Sequence, residues 1–479
     1  MNLSQTKNMT NFRWVICSML FFATTINYLD RQVLSLTWDE FIKPEFHWDE
    51  SHYGTITSVF SIVYAISMLF AGRFIDWLGT KRGYVWAISI WSLGACLHAF
   101  CGVFTEVCLD LPNRVALVQA TGDVAVIIAT VSMYAFLLAR CVLALGESGN
   151  FPAAIKVTAE YFPKRDRAYA TSIFNSGASI GALIAPLTIP LLAKYFGWEA
   201  SFIIIGLLGF IWAGLWIFVY KKPASNPRVN EVELAYISQD KDDIPEVESK
   251  ESKEPKLSFI QCFRYRQTWA FALGKFMTDG VWWFFLFWIP SYLSTQFNIK
   301  TTDELGMALI FTLYLVTMIS IYGGKLPTII INRTGKNPYA ARMQAMLIFA
   351  FFPLFVLLAQ PLGVYSPWFP VILIGIGGAA HQSWSANIFT TVSDMFPRSA
   401  VGTVTGIGGM AGGIGSMIMQ KAAGNLFVYA GDTHLYFFGF EGKPAGYFIM
   451  FCICAVSYLI GWCIMKALVP KYAPICVDR

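Results

Sequence analysis

Charge is what this sequence has least of. Only 14% of its 479 residues are Asp, Glu, Lys or Arg, against about 25% in an ordinary soluble domain. With 56% hydrophobic residues and a mean hydropathy of +0.53, that scarcity excludes a soluble globular chain and points to the bilayer. Catalytic and metal-binding patterns are also missing. There is no HExxH and no nucleophile elbow in a plausible context, and the ten Cys follow no metal-ligand spacing. Most of those Cys fall inside apolar runs, where a thiol acts as a small hydrophobe. The first thirteen residues are polar and lack a signal-peptide layout, so the first apolar run is expected to remain as a span. The net charge of +5 comes from loops and gives no reason to expect a nucleic-acid partner. What is abundant is aromatic: 16 Trp and 40 Phe suit wide lipid-facing and interfacial surfaces.

A bilayer-crossing helix needs roughly 20 mainly apolar residues. That rule predicts twelve spans, near 14–36, 52–76, 83–103, 125–147, 170–193, 200–220, 268–296, 304–331, 342–360, 368–392, 400–428 and 445–467. Most of the Lys and Arg fall in the termini and in the loops on the same side. Only Arg31, Lys43, Arg114, Lys194, Lys300 and Lys443 fall on the other side, and Arg140, Lys275 and Lys421 lie within spans. Basic loops stay in the cytoplasm, so both termini are expected there. The first outer loop is acidic, with Asp39, Glu40, Glu45, Asp49 and Glu50. Residues 221–266 hold nine basic and nine acidic residues and several Pro. They read as a solvated linker with one short surface helix, too small for an appended signalling domain. The expected division is therefore 1–220, linker 221–266, and 267–479.

The two halves resemble each other. "AEYFPKRDRAYATSIFNSGASIG" at 159–181 aligns with "SDMFPRSAVGTVTGIGGMAGGIG" at 393–415, an offset of 393 − 159 = 234. Phe162-Pro163 falls on Phe396-Pro397. Earlier in the chain the offset is larger, since Trp14 falls on Trp269. The first half therefore carries an insertion, the outer loop 104–124. Weak internal symmetry of this kind marks transporters built from two repeats with a site between them at mid-membrane. "GIGGMAGGIG" at 406–415 follows no strand and lies in a span, which makes it a helix-packing surface rather than a nucleotide loop.

"GRFIDWLGTKRG" at 72–83 resembles the loop signature of the major facilitator superfamily: Gly72 for close helix approach, Asp76 near the helix ends, then a basic cluster with Arg82. In that superfamily such loops gate the inner face. "NYLDRQVLS" (27–35), the stretch 140–186, "GKFMTDGVWWFFLFWIPSYL" (274–293) and the stretch 381–415 are similar to the hexuronate transporters of the anion:cation symporter family. That family also holds aldonate transporters, sialin and the vesicular glutamate transporters. The likeness covers nearly the whole chain apart from the termini, loop 104–124 and the linker. It implies an all-α membrane protein, with twelve transmembrane helices in two pseudo-symmetric six-helix bundles. It also implies proton-coupled uptake of glucuronate or galacturonate by alternating access, with an aldonate or other sugar acid as the alternative. The expected partners are the sugar-acid anion, protons and the lipid bilayer of the cell membrane. No cofactor or metal is expected, and the expected state is a monomer.

A charge at the centre of a membrane helix costs about 2.5–3.5 kcal/mol on insertion scales, so each one is a candidate. Tyr28 and Arg31 are three apart and share a helix face, while Asp30 points about 100° away. That geometry lets Arg31 meet a substrate carboxylate beside the Tyr28 hydroxyl, with Asp30 a second proton site. The alternative has Arg31 reaching the outer surface and pairing with Asp30. The family's matching tyrosine and arginine favour the substrate role. Arg140 and Glu147, seven apart on span 4, share a face about 10 Å apart. The resemblance places the family's coupling glutamate at Glu147, with Arg140 biasing its proton exchange; the alternative is a structural ion pair. At the offset of 234, Glu147 falls on His381, which is expected to face the same cavity from span 10. Trp384, one turn on, is expected to offer a flat face for a sugar ring. Lys275, Asp279, Trp282 and Trp283 form one stripe of span 7. Lys275 is either a second cation for the anion or neutralised by Asp279. Trp283 and Asn175 complete the expected substrate contacts, and Lys421 is expected to snorkel.

Overall fold

The computed structural model describes residues 9–239, 259–396 and 398–475. Part of the linker, 240–258, together with Pro397 and Cys476, lies outside them. The long helices are α1 (Phe12–Thr37), α2 (Glu50–Leu78), α3 (Thr80–His98), α4 (Asp123–Glu147), α5 (Lys164–Phe196) and α6 (Trp198–Val219). After the linker come α7 (Arg266–Phe297), α8 (Glu304–Thr317), α9 (Pro338–Phe351), α10 (Trp368–Met395), α11 (Arg398–Asp432) and α12 (Lys443–Leu468). α8 runs on through Met318–Lys325 and Leu326–Thr334, and α9 through Phe352–Leu358 and Ala359–Gly363. Among the described residues nine helices are long and apolar enough to cross a membrane, or ten if the bent pair Thr80–His98 and Cys101–Cys108 is one span. α7 and α10 are as long, at 32 and 28 residues, but fall outside that count. α7 carries Lys275 and Asp279 and α10 carries His381, and such groups lower a helix's hydropathy while marking it as lining something other than lipid.

Local chemistry sets the helix ends. The Asp49 side chain accepts from the His52 backbone N–H while the Asp49 N–H donates to His52 Nδ1, a capping box at the start of α2. α1 is capped from far along the chain. The buried Glu233 carboxylate, on the linker helix Glu231–Ser238, accepts from the backbone N–H of Phe12 (2.9 Å) and Arg13 (3.0 Å). It also takes hydrogen bonds from Thr10 Oγ1 (2.6 Å) and Arg13 Nη1 (3.1 Å). This part of the linker is fastened beneath the first six helices.

Successive helices alternate in direction, so the described ends of the chain share one end of the bundle, here called proximal. The two sets of helices are joined at the other, distal, end. There α2 runs antiparallel to α11. Ser51 Oγ donates to Asn425 Oδ1 (3.0 Å), Lys421 Nζ to Thr55 Oγ1 (2.7 Å) and Ser58 Oγ to the Met417 carbonyl (3.0 Å), while Ser61 and Ser416 share a bond of 3.1 Å. A Cβ on Gly54 would stand 3.0 Å from the Gly424 Cα, so only glycine permits this approach. Lys421 therefore reaches across to α2 and does not snorkel. Trp38 stacks on Tyr53 at 4.2 Å, and Trp288 of α7 meets both edge-on. Thr301 and Thr302 donate to Glu40. At the proximal end Lys156–Asp76 (2.6 Å) and Arg342–Asp394 (2.6 Å) each stay within one set. A Cβ on Gly72, Gly324 or Gly402 would meet nothing within 4 Å there. Among the described residues, the hydrogen bonds and ion pairs that join the two sets lie at the distal end. Loop 104–124 takes in the end of the helix Cys101–Cys108 and the turn Arg114–Val118, and Arg114 ties it to Glu45 and Glu199.

Burial opposes ionisation of Glu233, but the donors from Arg13, Thr10 and Phe12 outweigh it and hold the carboxyl below its usual range near 4.5. A depressed carboxyl stabilises above its unfolded value, and the contribution disappears as pH falls through the folded value. Amide exchange at residues 9–13 and 231–238 is expected to lose protection, relative to its intrinsic rate, below about pH 4.5. It is expected to be fast at neutral pH in Glu233→Ala, by roughly 2 kcal/mol of lost protection.

Candidate functional site

At mid-bundle α1 brings Arg31 against Glu147 at the end of α4. Arg31 Nε and Nη2 both donate to Glu147 Oε2, at 3.0 and 2.6 Å, with Arg31 5% and Glu147 1% exposed. Glycines set this meeting. A Cβ on Gly146 would collide with the α3 backbone at Trp91, and one on Gly181 would stand 2.6 Å from the Thr25 carbonyl of α1. The guanidinium carbon lies 4.8 Å from the Tyr64 ring centroid, 5.1 Å from Trp283, 5.2 Å from Tyr28 and 5.8 Å from Phe60. Three of these rings come from the first six helices, and Trp283 comes from α7. Arg140 Nη2 donates to the Arg31 carbonyl at 3.0 Å, and its guanidinium lies 4.9 Å from Phe60.

Several buried polar atoms here have no well-formed hydrogen bond to the protein: Glu147 Oε1, Arg140 Nε and Nη1, and the Asp30 carboxyl oxygens, which have only the Trp91 indole beside them. Asp30 is 1% exposed and lies within electrostatic reach of Arg140 and Glu147. Buried groups of this kind are ordinarily paired, so a cluster of unpaired ones is where bound solute or solvent is to be sought.

The second set of helices supplies a separate polar group. Lys275 Nζ pairs with Asp279 Oδ2 at 2.7 Å and stands 4.3 Å from the Phe389 ring centroid. His381 is buried, shares a 2.8 Å hydrogen bond between Nδ1 and the Tyr458 hydroxyl, and stacks on Trp282 at 5.5 Å with the planes 3° apart. The adjacent Trp282 and Trp283 thus divide, one on His381 and the other on Arg31.

Two of the alternatives, the Arg140–Glu147 ion pair and a surface Arg31, fail, and several expectations need correction. Arg140 and Glu147 do not pair with each other: seven residues of rise separate them, and Arg31 fills the gap from α1. Arg31 neither reaches the surface nor pairs with Asp30. Gly72 is not a close-approach glycine; that role falls to Gly83, whose Cβ would stand 3.0 Å from the Ile75 Cα. Trp384 is fully buried edge-on against Tyr458, so it offers no free face to a sugar in this state. Asn175 is exposed on α5 and has no described contact with the Arg31 group. Asp76 is fastened to Lys156, and Arg82 is exposed. Sequence reasoning missed Phe60 and Tyr64, although their i,i+4 spacing on α2 was a usable signal, and it missed Tyr458, which nothing distinguished from a packing residue.

The family model described as Major Facilitator Superfamily matches residues 20–419. The chain belongs to the major facilitator superfamily. This facilitator is 29% identical over 435 residues to the hexuronate transporter of Escherichia coli (strain K12), covering 90% of this chain and 91% of that protein. It is 27% identical to the galacturonate transporter of Dickeya chrysanthemi, covering 66% and 81%. It is also 27% identical to a probable galactarate/D-glucarate transporter of Bacillus subtilis (strain 168), covering 85% and 84%. Among solved structures, an inward-facing, occupied bacterial homologue of the lysosomal transporter Spinster superposes with a TM-score of 0.66 at 18% identity, over 95% of this chain and 97% of that one. A D-xylose–proton symporter superposes at 0.63 and 15% identity, over 97% and 98%. The facilitator fold is that of an integral membrane protein, and the family and these relatives are transporters, not enzymes.

Breaking a buried ion pair from one side costs about 3–5 kcal/mol, because the remaining charge is left uncompensated. Glu147→Leu and Arg31→Met are each expected to lower the thermal unfolding midpoint in detergent. The double variant is expected to be more stable than either single one. Additive losses would show that the pair is not coupled.

Proposed function

We propose that the chain is a proton-coupled symporter importing a hexuronate, galacturonate or glucuronate, by alternating access. The observation that carries this reading is the Arg31–Glu147 pair inside its aromatic box. A guanidinium is built to take a carboxylate bidentately, and here it already holds one. A proton on Glu147 removes that internal partner and leaves Arg31 to the substrate's carboxylate. Substrate and Glu147 then compete for one cation, which is a direct physical route to coupling. Tyr28 and Tyr64 offer hydroxyls beside it, and Asp30, near Arg140, is the second proton carrier of the proposal. Lys275, Trp283 and His381 serve the sugar from the second half, and Asn175 and Trp384 enter only in another conformation.

The proposed body plan is two six-helix units, 1–220 and 267–479, rocking about the site as a monomer with 221–266 between them. The loop with Gly72, Asp76 and Arg82 is the proximal gate. The bias of Lys and Arg supports placing the proximal end and both termini in the cytoplasm, so the distal seal faces outward in the cell membrane. The sugar-acid substrate is supported by the relatives named as hexuronate and galacturonate transporters. Another sugar acid is the second reading, because a probable galactarate/D-glucarate transporter matches at a similar identity.

The test is uptake of labelled galacturonate into proteoliposomes under an inward proton gradient. Wild type is expected to accumulate it. Glu147→Gln is expected to lose accumulation while still exchanging substrate across the membrane, with exchange no longer dependent on pH. Preferential accumulation of an aldonate or aldarate would overturn the hexuronate assignment. Uptake indifferent to pH in wild type would overturn the coupling.

A further inference from the structure

The acidic distal loop is an odd feature on a carrier of anions, because five carboxylates at the mouth would repel the cargo. Each of them is engaged. Asp39 pairs with Lys43, Glu40 takes Thr301 and Thr302, Glu45 takes Arg114 and Trp198, and Asp49 caps α2. Glu50, 3% exposed, holds two ammonium groups on one oxygen: Lys43 of its own half at 2.7 Å and Lys443 of α12 at 2.7 Å. Among the described residues Glu50–Lys443 is the one ion pair between the first six helices and the last six.

That arrangement is asymmetric when the distal end opens. If α2 parts from α11 and α12, Glu50 keeps Lys43, which it shares with Asp39. Lys443 loses the carboxylate that holds it, and Lys421 loses Thr55. The wall that moves away carries two released cations, while the wall that stays behind keeps Glu50 and Asp39 with Lys43 between them, one net negative charge. A third cation lies deeper in the bundle. Along α2, Lys443 sits at Glu50, Lys421 at Thr55, and Arg31 between Phe60 and Tyr64. Steps of five and about seven residues at 1.5 Å rise place them roughly 7.5 and 10 Å apart along the axis.

We infer that Lys443 and Lys421 form a capture site for the carboxylate of the incoming anion, clasped by α2 while the distal end is shut and released to the substrate when it opens. The site rests on the alternating-access reading above and adds the path by which the anion reaches Arg31. Charges lining a cleft raise the local concentration of an oppositely charged solute, an effect that salt screens.

Sided transport in uniformly oriented proteoliposomes tests this, with galacturonate as the probe. Lys443→Gln and Lys421→Gln are each expected to raise the KM for distal-side substrate by about threefold or more, with the proximal-side KM unmoved. The distal KM of wild type is expected to rise with ionic strength, and that dependence is expected to flatten in both variants. Lys443→Arg and Lys421→Arg, which keep the charge, are expected to restore the wild-type KM and salt response. An unmoved distal KM, or distal and proximal KM rising together, would overturn the capture site. A wild type that carries no sugar acid in either direction would instead overturn the proposed function. The two failures are therefore distinguishable.

Discussion

A guanidinium buried at the middle of a helical membrane bundle must be neutralised, and most of the site's architecture follows from how this one is. The desolvation penalty of two ions is several kcal/mol each and is recovered only with good geometry and further contacts. Arg31 has both: two donors on one Glu147 oxygen and four aromatic faces around its carbon. Bringing Glu147 to that point needs α4 hard against α3, which Gly146 and Gly94 permit. Holding α1 in place needs α5 hard against it, which Gly177 and Gly181 permit. The small residues of the first half are thus distributed according to where a charge must be held.

The distal seal obeys a different constraint, because it has to come apart. An apolar seal would expose its full hydrophobic area to water on opening, at about 25 cal/mol for each Å². Along α2 and α11 the facing groups are instead Ser51, Thr55, Ser58, Ser61, Asn425, Lys421 and Ser416, with glycines between them. Each hydrogen bond there is exchanged for one to water at a net cost of about 0.5–1.5 kcal/mol. Aromatic contacts between the two sets gather at the Trp38–Tyr53–Trp288 stack and, deeper along α2, where Phe60 meets Trp283 and Phe287. A seal made this way is specific in register and shallow in energy, as a rocking carrier needs.

Much of the site was legible in the sequence, because charge in an apolar run is conspicuous. Asp30, Arg31, Arg140, Glu147, Lys275 and His381 stand out for that reason alone, and helix positions followed from hydropathy to within a few residues. Partnership was not legible. Spacing along one helix suggested Arg140 with Glu147, but pairing was decided between helices, by which backbone came closest. The same limit explains Trp384: its place on α10, one turn from His381, was legible, but not that it is fully buried edge-on against Tyr458 of α12. The purpose of the acidic loop was hidden for a similar reason, since its counter-charges sit on Arg114, Lys443 and Lys43, one near in sequence and two distant.

The internal repeat carries a final consequence. It pairs Glu147 with His381, and both are buried at matching places in their halves, yet their surroundings have diverged. Glu147 answers a cation from α1, whereas His381 stacks on Trp282 and bonds to Tyr458. The first half therefore neutralises its own central charge without help, and the second half contributes one aromatic face to it, Trp283. A cation attracts such a face most strongly when it is desolvated and lacks a counter-ion. The pull between the halves at this level consequently depends on whether Glu147, a substrate carboxylate, or neither is on Arg31. That dependence is what a carrier requires if the state of its site is to govern the motion of its halves. Here it passes through a single indole, because nothing else of the second half touches the guanidinium among the described contacts.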